Sequence, residues 1–417
     1  MSQKKVKNRL SPKKLRIAAF LAVMGPGMIA GLSDDDPAGI ATYSVLGANY
    51  GYQLLWVLVI STIALIIFQD LGARIGVVTR QGMIGLIRQK YGARSGTLSA
   101  GALIIANLGT MTAEFAGIAA AGQLFGFSKY LTVPLAAILV SYLVLRNSFA
   151  RVEKIFFLIS AVFIAYIIAG FMAGPDWGSA LRGAVVPTMP FTQDAIFIAT
   201  ATFGTTLAPW GLAFIQSYAV DKRLTRDDLK LLRVDVWTGS LLTGIIGIFV
   251  VVTCAATLHK NGIQINDASD AALALEPLAG TLAKELFAFG LIGAALLAAS
   301  ILPLSTAYSV SDLTGRPAAL DDSLKEAPLF YITFATITGL SAILILIPGA
   351  PLIKILIFTQ ILNAILLLPL LIYMFGISKD KVLMGEFVSS KKMRVIYGVI
   401  ISIVAIAICC MLWFSFN

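Results

Sequence analysis

Charge is what this sequence has least of. Only 13% of its 417 residues are Asp, Glu, Lys or Arg, 58% are hydrophobic, and the mean hydropathy is +0.87. A soluble domain carries about 25% charged residues, so water cannot be the main solvent of this chain. Polar stretches are short as well. The longest, roughly Leu71–Arg94 and His259–Glu285, read as loops or short interfacial helices rather than a soluble domain. Cysteine is scarce, and Cys254, Cys409 and Cys410 all fall in apolar stretches, where they read as small buried hydrophobes and imply no disulfide framework. No nucleophile–base pair and no cofactor motif occurs, which argues against an enzyme and against a bound cofactor. No small-residue cleavage site follows the Lys-rich start (Lys4, Lys5, Lys7, Lys13, Lys14), so the first apolar stretch is retained.

Uncharged apolar sequence, by contrast, is abundant. A helix of about 20 such residues crosses a bilayer core. Runs of this kind occur at Ile17–Ser33, Ile40–Gln69, Tyr130–Leu145, Ile155–Pro175, Ala195–Val220, Val236–Leu258, Leu286–Ser311, Ala327–Ile353, Ile355–Ser378 and Val395–Asn417. Ser95–Ser128 is one more, interrupted by Glu114 alone. The expectation is an all-α membrane protein with eleven transmembrane helices, since continuous apolar runs exclude a barrel. One membrane domain, 17–417, follows a basic segment at 1–16.

The formal charge of +10 has a topological meaning. When the crossings alternate, 27 of the 32 Lys and Arg fall on the N-terminal side, and Lys129, Arg182, Lys260 and Lys284 fall on the other, with Lys354 at a span edge. Positive-inside asymmetry then places the N-terminus in the cytoplasm and the C-terminus outside a cell membrane. The partner implied by the basic balance is the bilayer, not nucleic acid, and no obligatory protein partner is evident. Trp56, Trp177, Trp237 and Trp413 read as interface anchors; Trp210 lies inside a span.

Two spans share a defect. Ser33-Asp34-Asp35-Asp36-Pro37-Ala38-Gly39 interrupts the first helix, and Gly204-Thr205-Thr206-Leu207-Ala208-Pro209-Trp210-Gly211 interrupts the sixth. Proline lacks the backbone donor and suits the first turn of a new helix, so each break divides one span into two half-helices. The breaks lie five helices apart, which predicts an inverted 5+5 repeat with a site at mid-membrane. Repeat one covers about 17–175, repeat two about 194–378, and an eleventh helix, about 393–417, lies outside the repeat. An ordinary proline kink is the plainer alternative.

A carboxylate at bilayer depth marks function by default. The spans offer Asp34, Asp35, Asp36 and Glu114. A carboxylate beside unwound carbonyls describes a cation site. Its donors would be Asp36, the carbonyls near Gly39, Thr205 and Ala208, and the amide of Gln360. Asp35 and Glu114 would act through the ion's water shell or line a vestibule, and Asp34 reads as an exposed carboxylate at the mouth. No Met, Cys or His lies at either break, and an all-oxygen set suits Mg²⁺, Ca²⁺ or Mn²⁺. Small residues at Gly39, Ala208 and Gly211 suggest a roomy cavity, which suits Mg²⁺ because it keeps several waters.

At these residues the sequence resembles the Nramp family of divalent-metal transporters. The resemblance rests on Met24-Gly25-Pro26-Gly27 with Asp36-Pro37-Ala38-Gly39, on Gln69-Asp70-Leu71-Gly72-Ala73-Arg74 through Thr79, on Ala113-Glu114-Phe115-Ala116-Gly117 and on Ala208-Pro209-Trp210-Gly211. It implies the inverted repeat of the leucine-transporter type and a transported metal held by Asp36. The departures matter. The family's binding Asn is Gly39 here, its Met is Ala208, and its small residue with a metal-binding carbonyl is Thr205. This pattern is most similar to the prokaryotic Nramp-related magnesium transporters.

The family's proton route also looks dismantled. Trp210 stands where it has His, Met111 where an acid precedes the Glu114 position, and the ninth span has no charge. The only histidine, His259, reads as a loop residue at an outer helix end. The expected function is alternating-access uptake of Mg²⁺, with Mn²⁺ as a second ion, without obligatory proton coupling. Three alternatives stand beside it: a proton-coupled Mn²⁺/Fe²⁺ transporter, an organic-cation or amino-acid carrier, and a transport-inactive metal sensor.

Overall fold

The computed structural model describes residues 25–145, 161–316 and 322–416. The basic segment 1–16, Met24, residues 17–24 of the first span and the start of the fifth lie outside the described residues. Every regular element among those described is helical. The first broken span is α1 (Pro26–Ser33) and α2 (Pro37–Tyr50). Next come α3 (Leu55–Thr79), the short α4 (Met83–Tyr91), α5 (Ala93–Leu124), α6 (Lys129–Leu145), α7 (Ile164–Met172) and α8 (Trp177–Val185). The second broken span is α9 (Gln193–Thr206) and α10 (Pro209–Asp221). It is followed by α11 (Leu229–Thr257), α12 (Ala283–Thr314), α13 (Pro328–Leu346), α14 (Leu352–Ser378) and α15 (Lys391–Phe416).

Eight of these helical stretches are long and apolar enough to cross a membrane. The split α1–α2 span and the shorter helices α6 and α7 are apolar as well.

Two boundaries differ from the sequence reading. The apolar run Ile40–Gln69 is not one helix, because Gly51 takes φ +56° and ends α2, and α3 starts at Leu55. Apolarity runs on through this turn because Gly51 and Leu54 are themselves buried. At the other end α3 continues past Gln69 to Thr79, although it then carries charge. Asp70 is matched by Arg233 at 2.8 Å, and Arg74 donates to the hydroxyls of Ser389 and Tyr397, so the helix need not stop there.

Contacts between connections sort the ends into two faces. On one face Arg88 donates to the Leu313 carbonyl, Lys90 pairs with Asp380, and Lys222 lies against Gly25. On the opposite face Trp56 donates to the Thr188 carbonyl at 3.0 Å, Lys129 caps α13 through Ile345 and Ile347, and His259 Nδ1 meets the Ala48 carbonyl at 2.9 Å. The first face carries the basic connections.

Glycine lets helices meet where side chains would hold them apart. A Cβ on Gly27 would lie 2.4 Å from Val236, and one on Gly31 would lie 2.5 Å from Gly239, so α1 lies directly on the α11 backbone. A Cβ on Gly204 would lie 1.8 Å from the Gln360 carbonyl, which seats α9 on α14. The last helix, α15, packs on α9, α14 and α3 and is the least buried of the long spans. Trp177, Trp237 and Trp413 are exposed at the periphery, whereas Trp210 is fully buried. Cys254 is buried as expected, but Cys409 on α15 is exposed.

Candidate metal site at the two helix breaks

Each break combines a proline with a polar or small stretch before it, Ser33–Asp36 in the first and Gly204–Thr206 in the second. Pro209 has no N–H to offer the Thr205 carbonyl four residues earlier, and Pro37 has none for Ser33. Both therefore open new helices, α2 with Asp36 as N-cap and α10 with Ala208. The N-cap alternative for Asp36 is real, since its Oδ1 accepts the Gly39 amide at 2.6 Å. That bond fixes the carboxylate beside the break without excluding a cation from it. By contrast, Pro134, Pro303 and Pro369 sit inside continuous helices, so proline alone does not divide a span here.

Three oxygens converge at Gly39. A Cβ there would lie 2.8 Å from the Asp34 carbonyl oxygen, 3.2 Å from Asp36 Oδ1 and 3.3 Å from Thr205 Oγ1. Thr205 Oγ1 is buried and has no protein partner. The half-helices α2 and α9 are held together by Tyr43 and Thr206, whose hydroxyls meet at 2.9 Å. Glu114 joins them from α5, which approaches so closely that a Cβ on Gly117 would lie 2.3 Å from Pro37. The Glu114 side chain lies beside Asp36 and is fully buried. Asp35 faces Thr243 on α11. No group of three or more His, Cys, Asp and Glu converges on one point among the described residues, so a cation here would draw on hydroxyl and carbonyl oxygen as well.

Several expectations change. Asp34 is not at an open mouth; it is 2% exposed, turned towards Gly211 and Gln69. The breaks are closed to solvent in this conformation. Asp34–Asp36, Thr205, Ala208 and Glu114 are all buried, because Gly39 is used for close approach of oxygen atoms rather than for open space. The Ala208 carbonyl accepts the Gly211 amide at 3.1 Å. Gln360 lies on α14 at the Gly204 crossing, with its amide engaged by Thr359 and Asn363. Asn363 in turn donates to Thr110 on α5 at 2.8 Å.

Two residues were missed by sequence reasoning. Asp235 is fully buried on α11, and its carboxylate accepts the amides of Gly25, Gly27 and Met28, capping α1 from another helix. An acid inside an apolar span was the available signal, but the span was begun one residue later, at Val236. Gln69 is buried on α3, and its Oε1 accepts from Ser240 at 3.1 Å.

Known proteins share this fold. The chain is 28% identical over 420 residues to a divalent metal cation transporter MntH of Klebsiella pneumoniae, covering 97% of this chain and 96% of that one. The MntH of Yersinia enterocolitica is 27% identical, with 92% and 93% covered. Among solved structures, the Eremococcus coleocola manganese transporter superposes with a TM-score of 0.78 at 16% identity, over 95% of this chain and 86% of that chain. MhsT in complex with L-phenylalanine superposes at 0.61, with 15% identity and 94% and 98% covered. The family model for natural resistance-associated macrophage protein-like sequences matches residues 27–414, and the chain belongs to the Nramp family.

Proposed function

We propose that this chain carries divalent metal cations across a cell membrane by alternating access, Mg²⁺ foremost and Mn²⁺ as a second ion, without obligatory proton coupling. The observation that carries this reading is the meeting of Asp36 Oδ1, Thr205 Oγ1 and the Asp34 carbonyl at Gly39. All three are hard oxygen donors, and neither thioether nor imidazole is among them, which favours Mg²⁺ or Mn²⁺ over softer ions. The metal is cargo and not a resident cofactor. A partly hydrated ion would enter as the half-helices part and would be held by Asp36, with Glu114 and Asp35 acting through its water.

The energy source is sufficient without protons. Two charges crossing about 100 mV gain roughly 4.6 kcal/mol, on the order of a thousandfold accumulation. Trp210, fully buried on α10, offers no titratable group, and α13 carries no charged residue. A proton-coupled Mn²⁺ carrier is the second reading. It draws on the manganese transporter among the similar structures and on Glu114, which could take a proton beside Asp36. The test is a calorimetric titration of the purified chain with Mg²⁺, Mn²⁺ and Cd²⁺. Binding of Mg²⁺ and Mn²⁺ that Asp36→Ala abolishes supports the proposal; binding of Cd²⁺ and Mn²⁺ without Mg²⁺ contradicts it.

A further inference from the structure

The two breaks meet at two junctions. Asp36 and Thr205 mark the junction of α2 with α9. The other junction, of α1 with α10, has its own carboxylate. A Cβ on Gly211 would have Asp34 Oδ1 at 3.7 Å and Gln69 Nε2 at 3.8 Å as its near neighbours. Asp34 is 2% exposed and Gln69 0%. Neither Asp34 oxygen has a hydrogen-bond partner in the protein, and Gln69 Nε2 has none either.

A carboxylate buried without donors is costly unless a cation or a proton neutralises it. Lys222 lies beside Gly25 and Arg233 pairs with Asp70. The N-terminal end of α10, a 13-residue helix, lies alongside. We propose that Asp34, with the Gln69 amide across from it, forms a second divalent-cation station one step along the break from Asp36. This inference rests on the transport reading above.

The amide suits such a station. Its far end is tied to the Ser240 hydroxyl, which can accept a hydrogen bond as well as donate one. A half-turn of the amide therefore replaces an N–H facing Asp34 with an oxygen facing a cation. Asp34 and Asp36 are two residues apart, so their Cα atoms are separated by about 7 Å at most. An ion released from Asp36 would meet a second oxygen set before leaving the break. Ser240 is nearer the Leu229 end of α11 and Gln69 nearer the Thr79 end of α3, which puts Asp34 towards the face that carries the basic connections.

The experiment compares Asp34→Asn, Asp36→Asn and Gln69→Met in the full chain, by Mn²⁺ titration calorimetry and by Mg²⁺ and Mn²⁺ uptake into proteoliposomes. Asp34→Asn should keep Mn²⁺ affinity within about threefold while uptake falls about tenfold or more, and Asp36→Asn should lose both. Gln69→Met should slow uptake with binding kept, and it decides the matter if Asp34→Asn does not fold. Wild-type uptake in Asp34→Asn overturns the station, as does loss of binding together with uptake, which would make Asp34 part of the Asp36 site. A wild-type chain that moves neither metal refutes the transport reading instead, and the two failures are thereby told apart.

Discussion

Asp235 accepts the Gly27 amide at 2.6 Å across 208 residues of sequence, and so ties the start of α1 to the first turns of α11. Its carboxylate also receives the Gly25 and Met28 amides, so three donors at one helix N-terminus depend on one side chain. Asp235→Ala leaves buried donors unsatisfied and is expected to cost about 3 kcal/mol, whereas Asp235→Asn keeps an acceptor and should cost less. Thermal unfolding of the detergent-solubilised variants reads this. An alanine variant as stable as the wild type would refute the cap.

The α1–α11 contact depends on hydrogen-sized side chains. A Cβ on Gly239 would lie 2.3 Å from the Gly27 carbonyl oxygen, with only backbone atoms around it. Gly239→Leu is expected to force the helices apart and to lower stability by about 1–3 kcal/mol, as overpacking does. The same substitution at Gly398 on α15, where nothing lies within 4 Å, should be tolerated. Equal effects at the two positions would contradict the packing account.

Ligand softness is adjustable at Ala208. Ala208→Met adds a thioether beside the break and is expected to raise Cd²⁺ affinity by about tenfold while Mg²⁺ affinity falls. Titration calorimetry with both ions checks the direction. No gain in Cd²⁺ affinity would place Ala208 away from the ion.

On the basic face, the Lys90 ammonium bonded to Asp380 holds that carboxyl below its usual value. A depressed carboxyl contributes stability above its unfolded value, about 3.9, and loses it as pH falls through the folded value. Lys90→Met should therefore lower the melting temperature slightly at neutral pH, with the gap closing below about pH 4. A gap independent of pH would show that the pair contributes by packing alone.

The two breaks were legible because Pro37 and Pro209, which cannot donate to the preceding turn, each follow a polar stretch, as Pro134, Pro303 and Pro369 do not. The matching breaks led to the expectation of a carbonyl near Thr205 beside Asp36, whereas the structure brings the Thr205 hydroxyl there. The end of α2 was not legible, since apolar residues continue through the Gly51 turn. Nor was the direction of Asp34, because three successive carboxylates look alike until α10 arrives beside one of them. Asp235 was hidden by a boundary drawn at Val236, and the side chain of Gln360 proved to be engaged by its neighbours on α14 and not free at the breaks.

The most direct test of the account is Mg²⁺ uptake into proteoliposomes at a set membrane potential, with a pH indicator inside, for the wild type and Asp36→Ala. The account predicts potential-driven Mg²⁺ influx that the substitution abolishes, with no change in internal pH. Influx of Mn²⁺ alone, accompanied by internal acidification, would contradict it.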